Sequence, residues 1–147
     1  MKTLAEARWQ TSTDGEPPGV PGYVVSAFNP LAVAAAERCL RDYSGRTQRT
    51  GIVLVSDGDR VSAEHVREKV AEGKRIGPLL FFQSVPNSIA GWIAAKWDLR
   101  GPVVCVTDGG REEAELLIDD GDADQVLIVQ VSADQASAQI VSTGEPT

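Results

Sequence analysis

Apolar runs alternate along this chain with stretches of helical spacing, and the alternation sets out the elements. Residues 50–55, 103–106 and 125–131 are almost wholly aliphatic and β-branched, the pattern of strands covered on both faces. Residues 23–28 form a shorter run around Val24 and Val25, and Met1 to Trp9 reads as an edge strand with Trp9 covering a core or a partner. Between the runs, Val33, Ala36, Leu40 and Tyr43 recur at helical spacing over residues 30–43, with Pro30 suited to the first turn and Asn29 as N-cap. Ala63, Val66 and Val70 predict a second helix, capped by Ser62 and ended by Gly73. A third runs from Ser84 and Pro86 to Trp97, with Ile89, Ile93 and Trp97 on one face and Gly91 permitting close packing. A fourth follows the Asp108-Gly109-Gly110 turn over 111–119, its early Glu112 and Glu113 complementing the positive end of the helix dipole. Residues 137–141 add a short alternating strand.

Strands of the all-apolar kind alternating with helices imply an α/β fold, a three-layer α/β/α domain on a mostly parallel mixed sheet. The segment Asp14-Gly-Glu-Pro-Pro-Gly-Val-Pro-Gly22 concentrates turn-formers. It divides the chain into an N-terminal strand and loop segment, 1–22, and an α/β domain, 23–143.

At 147 residues the chain suffices for one core without disulfides or metals. A net charge of −7 with no basic cluster argues against nucleic-acid binding, which depends on grouped Lys and Arg. Lys69, Lys74, Arg75 and Lys96 are the scattered cations that an acidic carrier protein would have to use. Two cysteines and one histidine are too few for a disulfide framework or a zinc site, so no metal and no cofactor is expected. Without an apolar leader or a membrane-length run, the expected location is the cytoplasm.

Residues 82–102, Phe-Gln-Ser-Val-Pro-Asn-Ser-Ile-Ala-Gly-Trp-Ile-Ala-Ala-Lys-Trp-Asp-Leu-Arg-Gly-Pro, resemble the β-ketoacyl synthases, a family of the thiolase fold. There a similar Ser/Pro-Asn-x-x-Ala/Gly helix is followed by a loop ending in Gly-Pro and then a strand. The Asp-Gly-Asp-Ala-Asp segment at 120–124, before another Val-rich strand, matches the family's turn before a central strand. The resemblance covers roughly residues 23–132. It implies half of a thiolase-like fold, in a short form without the C-terminal half from which the family's two catalytic histidines come.

The resemblance also implies where a nucleophile would stand. Counting from Gly101-Pro102, the catalytic Cys at the helix N-terminus falls at about Gly110, where there is no thiol. Asp108, Glu112 and Glu113 would raise the pKa of any thiol placed there. No catalytic residue is therefore assigned. Cys105, mid-strand, and Cys39, on the Ala-rich helix, read as buried structural residues, and His65 as a solvated one. The Asp108-Gly109-Gly110 turn lacks the spacing and the Lys of a phosphate loop, and the acidic series Asp119, Asp120, Asp122 and Asp124 lacks the spacing of a calcium loop.

In the family the strand after Gly-Pro pairs with its twin across a two-fold axis. The resemblance thus makes Val103, Val104, Cys105, Val106 and Thr107 a dimer interface, in a homodimer or a heterodimer with a full-length ketosynthase, with acyl carrier protein as a further partner. The function expected is that of a non-catalytic accessory subunit in polyketide- or fatty-acid-type biosynthesis. The alternatives are an oligomerisation scaffold, or a ligand-binding protein or enzyme with a pocket at the strand C-terminal ends. Ser84, Asn87, Asp108, Gly109 and Gly110, with Asp57 and Asp59, are the candidates for that pocket.

Overall fold

The computed structural model describes residues 1–21, 23, 28–56, 60–73 and 86–143, with backbone alone at 60–63, 65–66 and 86–87. Among the described residues five strands form one sheet: β1 (Lys2–Gln10), β2 (Thr50–Val55), β3 (Val103–Val106), β4 (Gln125–Ser132) and β5 (Gln135–Ser142), in the order β1-β5-β4-β2-β3. β2 is parallel to both β4 and β3, whereas β5 is antiparallel to both β4 and β1. The helices are α1 (Thr11–Asp14), α2 (Phe28–Asp42), α3 (Arg60–Ala71), α4 (Pro86–Trp97) and α5 (Gly110–Asp119).

The strands read from the apolar runs at 50–55, 103–106 and 125–131 are present, and their burial explains the composition. Every residue of β2 is buried, because β2 lies inside the sheet with a helical layer on each side. On one side Leu31, Ala35, Ala36 and Cys39 of α2 and Ile89 and Ile93 of α4 pack with Ile52, Leu54, Leu127, Val129 and Ile140. On the other, Ala114 and Leu117 of α5 pack with Val53, Val55, Val126, Ile128 and Val141. The alanines of α2 let its backbone lie close over β1, β4 and β5.

The strand expected over residues 23–28 lies mostly outside the described residues; Tyr23 bridges Val20, and Phe28 belongs to α2. Several local expectations are corrected. α2 begins at Phe28, so Asn29 is buried within its first turn and is not its N-cap. α3 begins at Arg60, two residues before Ser62, and Val70 is 58% exposed, so the apolar stripe of α3 does not continue into the core there. A Cβ on Gly91 would meet nothing within 4 Å, so that glycine serves no close approach. β3 is half-buried throughout, because it is the edge of the described sheet and, among the described residues, only its β2 side is paired. Cys105 is accordingly half-buried too.

The N-terminal strand is fastened to α2. The Arg38 guanidinium stacks over the Trp9 ring at 4.4 Å, donates to the Arg8 carbonyl at 2.6 Å and pairs with Asp14. The Trp9 indole N–H donates to the Gly15 carbonyl.

Candidate functional site at the β3–α5 turn

The Gly-Pro motif has a geometric cause. A Cβ on Gly101 would lie 2.5 Å from the Gly51 nitrogen, and one on Gly51 would lie 3.1 Å from the Pro102 carbonyl oxygen. The two backbones cross where β2 begins, and only paired glycines leave room. The crossing is fixed by the Gly101 N–H donating to Thr50 and the Ile52 N–H donating to Pro102. From there β3 runs parallel to β2, pairing Ile52 with Val103 and Val55 with Val106.

At the far end of β3 the chain turns through Thr107 and Asp108, and Gly109 caps α5 with φ +70°, a left-handed conformation that glycine adopts without strain. The Asp108 side chain does not cap the helix. The resemblance puts the family's nucleophile at about Gly110, the first residue of α5. A Cβ there would lie 2.6 Å from Val55 Cγ2 and 3.2 Å from Ile128 Cγ2. The space that a nucleophilic side chain would need is thus filled by two core residues of β2 and β4, and α5 lies directly on the sheet at this point.

The two cysteines lie elsewhere, and both have raised thiol pKa values. Cys39 is fully buried, and burial pushes its thiol up to about 11. Burial also raises the Cys105 thiol. A nucleophilic cysteine requires the opposite shift.

Of the pocket candidates, Asp108, Gly109 and Gly110 form the turn itself. Asp57, Asp59 and Ser84 lie outside the described residues, and of Asn87 only the backbone, near the start of α4, is described. His65 lies in α3, again with backbone alone. Thr107 is exposed just past the end of β3. Asp124 pairs with Arg49, which also donates to the Gly121 carbonyl. Among the described residues no cluster of three or more His, Cys, Asp or Glu side chains is placed to hold a metal. Among the described residues no helix is long and apolar enough to cross a membrane.

One polar centre has no counterpart in the sequence reading. The Glu37 carboxylate, its side chain 11% exposed, accepts from the Trp97 indole N–H at 2.9 Å and pairs with Lys96 and Arg41. Lys96 also lies over the Trp92 ring at 5.1 Å. Burial pushes the Glu37 pKa up, but the hydrogen bonds from Lys96 and Trp97 and the charges of Lys96 and Arg41 outweigh it and hold it below the ordinary carboxylate value. The cluster joins α2 to α4. Glu37 and Trp97 are 60 positions apart in the chain, so helical spacing alone carried no signal of the contact between the two helices.

No protein-family model matches the sequence, and no curated protein matches it. Solved structures do. The ketosynthase ApeO in complex with its chain length factor ApeC, from Xenorhabdus doucetiae, matches at 24% identity with a TM-score of 0.70, over 86% of this chain and 63% of that one. The ishigamide ketosynthase/chain length factor matches at 19% identity and TM-score 0.70, over 90% of this chain and 48% of that one. A β-ketoacyl synthase from Burkholderia phymatum matches at 15% and 0.61, over 93% and 52%. The chain thus spans about half to two thirds of the length of these proteins. Its crossing glycines, its parallel β2–β3 pair and its Gly109-Gly110 helix start belong to an α/β fold of the thiolase-like type, the fold of the ketosynthases and chain length factors that it matches.

Proposed function

We propose that this chain is a non-catalytic, ketosynthase-like partner subunit in polyketide- or fatty-acid-type biosynthesis, acting through its β3 edge. The observation that carries the reading is Gly110. At the nucleophile's place there is no side chain, and Val55 and Ile128 occupy the volume that one would enter. A subunit that has closed this position into its core contributes by shape and association.

The association surface is the outer edge of β3. Its four residues Val103, Val104, Cys105 and Val106 are half-buried, and no strand among the described residues pairs with that edge. An apolar edge of this kind gains hydrogen bonds and burial when a second strand is added. The comparison structures include ketosynthases with their chain length factors, and one ketosynthase in complex with an acyl carrier protein, which supports a ketosynthase-type chain as the partner. Thr107, next along the chain, would extend the contact.

Light scattering coupled to size-exclusion chromatography tests this, on the chain alone and mixed with the ketosynthase encoded nearest to it. A complex with that ketosynthase is the expected result. A monomer that ignores it removes the partner reading, and a homodimer that ignores it replaces that reading with a scaffold role.

A further inference from the structure

Among the described residues, the sheet face on the α5 side is covered over only part of its width. Beneath α5 it is apolar, through Val53, Val55, Val126, Ile128 and Val141. Beyond α5 the same face turns polar. Arg8 of β1, Ser137 of β5 and Gln130 of β4 are cross-strand neighbours in one row, and that row continues to Val55, the residue packed against Gly110. The next row on the same face is Gln10, Gln135 and Ser132. Between these rows lies a depression of about 210 Å³, lined by Arg8, Gln130, Ser132, Gln135, Ala136 and Ser137. It adjoins a wider one of about 460 Å³ along β1 and β5, which adds Glu6 and Gln139.

The smaller depression brings together the donors that recognise an oxyanion. Arg38, Arg49 and Arg100 each pair with an aspartate, whereas the Arg8 guanidinium has no ion-pair partner among the described residues. A guanidinium presents a planar fork of N–H groups that matches a phosphate or a carboxylate. Beside it stand the hydroxyls of Ser137 and Ser132 and the amides of Gln130 and Gln135, all able to donate. The site sits where β1 and β4 end, the end of a parallel arrangement at which α/β folds bind ligands. Glu6, one row away, opposes an anion. In that same row Arg111 of α5 donates to Gln139 at 2.9 Å and supplies a compensating positive charge.

We propose that this depression binds an oxyanion, a phosphate or carboxylate group carried by a small polar molecule, with Arg8 as its charged anchor and Ser137 and Gln130 as neighbouring donors. The site is at the opposite side of the sheet from β3, so it stands or falls independently of the partner-subunit reading.

The test is a titration of the 147-residue protein, followed by amide NMR at constant ionic strength, with inorganic phosphate in one series and acetate in another. The expected result is a saturable shift at Arg8, Ser137 and Gln130 in the millimolar range. Phosphate alone saturating identifies a phosphate-bearing ligand, and acetate alone a carboxylate-bearing one. Arg8→Gln should weaken binding about tenfold or more, the loss expected for a charge-assisted contact. Arg8→Lys should weaken it less, and Glu6→Gln should tighten it. Arg8 is exposed, so unfolding curves of these variants should superimpose on that of the parent. No saturable shift with either anion, or a saturable shift that Arg8→Gln leaves unchanged, overturns the proposal.

Discussion

Gly110 meets Val55 so closely that a Cβ added to the glycine would lie 2.6 Å from a valine methyl. Restoring a thiol at this place by Gly110→Cys therefore overpacks the α5–sheet contact, at a cost of about 1–3 kcal/mol. Val55→Ala in the same chain should recover part of that loss by vacating the methyl positions, although alone it removes core volume. Urea unfolding of the two single variants and the double variant measures the coupling. Equal midpoints for Gly110→Cys and the parent would show that the position is not closed, and the argument from packing would fall with it.

β2 and the first part of β4 were legible because both faces of the sheet are covered there, which forces the runs of Val, Ile and Leu at 52–55 and 126–129. β5 was legible for the opposite reason. Ala136, Ala138 and Ile140 face α2 while Ser137 and Gln139 face the half-open side, and the sequence alternates accordingly. The place of β3 at the edge was not legible from its composition. A run of Val and Cys looks the same in an edge strand and a central one, and only the resemblance marked it as an interface. Helix starts failed at Asn29 and Ser62 because a polar residue that can cap a helix can also sit inside its first turn, and tertiary contacts decide which. Of the candidate site, the absent thiol at Gly110 was readable, but the Val55 and Ile128 side chains that fill its space were not.

The β4–β5 hairpin turns through Ala133 and Asp134, and Ala133 sits at φ +38°, a left-handed conformation costly for a residue with a Cβ. Ala133→Gly removes that strain and adds some chain entropy to the unfolded state, so the net gain should be about 0.5 kcal/mol. A rise of about 1–2 °C in Tm is expected by differential scanning calorimetry. A fall in Tm would mean that the turn is not strained in solution.

Glu37 accepts the Trp97 N–H and pairs with Lys96, tying α2 to α4 through a carboxylate of lowered pKa. A group whose folded pKa lies below its unfolded value contributes stability above the unfolded value, and the contribution disappears as pH falls through the folded one. Stability from Glu37 should thus be complete above about pH 4.5, the ordinary glutamate value, and decline below it. Glu37→Gln should cost about 1 kcal/mol at neutral pH, because it weakens the bond from Trp97 and leaves the half-exposed Lys96 without its counter-charge. It should also flatten the acid limb of the stability profile. Denaturant titrations between pH 3 and pH 7 read both effects, and a variant with the same acid limb as the parent would remove Glu37 from the account.

Val104 lies in the middle of the β3 edge, half-buried, with its backbone paired to Val53 of β2 on the inner side. A lysine in an edge strand keeps its stem on the apolar surface while its charge resists the approach of a second strand, which is how natural edges are blocked. Val104→Lys should therefore abolish association with a ketosynthase-type partner, or with a second copy, while the isolated chain loses only about 1 kcal/mol through its reduced contact with the α5-side core. Sedimentation velocity of parent and variant, each alone and mixed with the partner, separates the two effects. Association that survives Val104→Lys with unchanged affinity would place the interface elsewhere on the molecule. The exposed Val70 on α3 would then be the first position to substitute, since it is one of the few large apolar side chains among the described residues that solvent reaches.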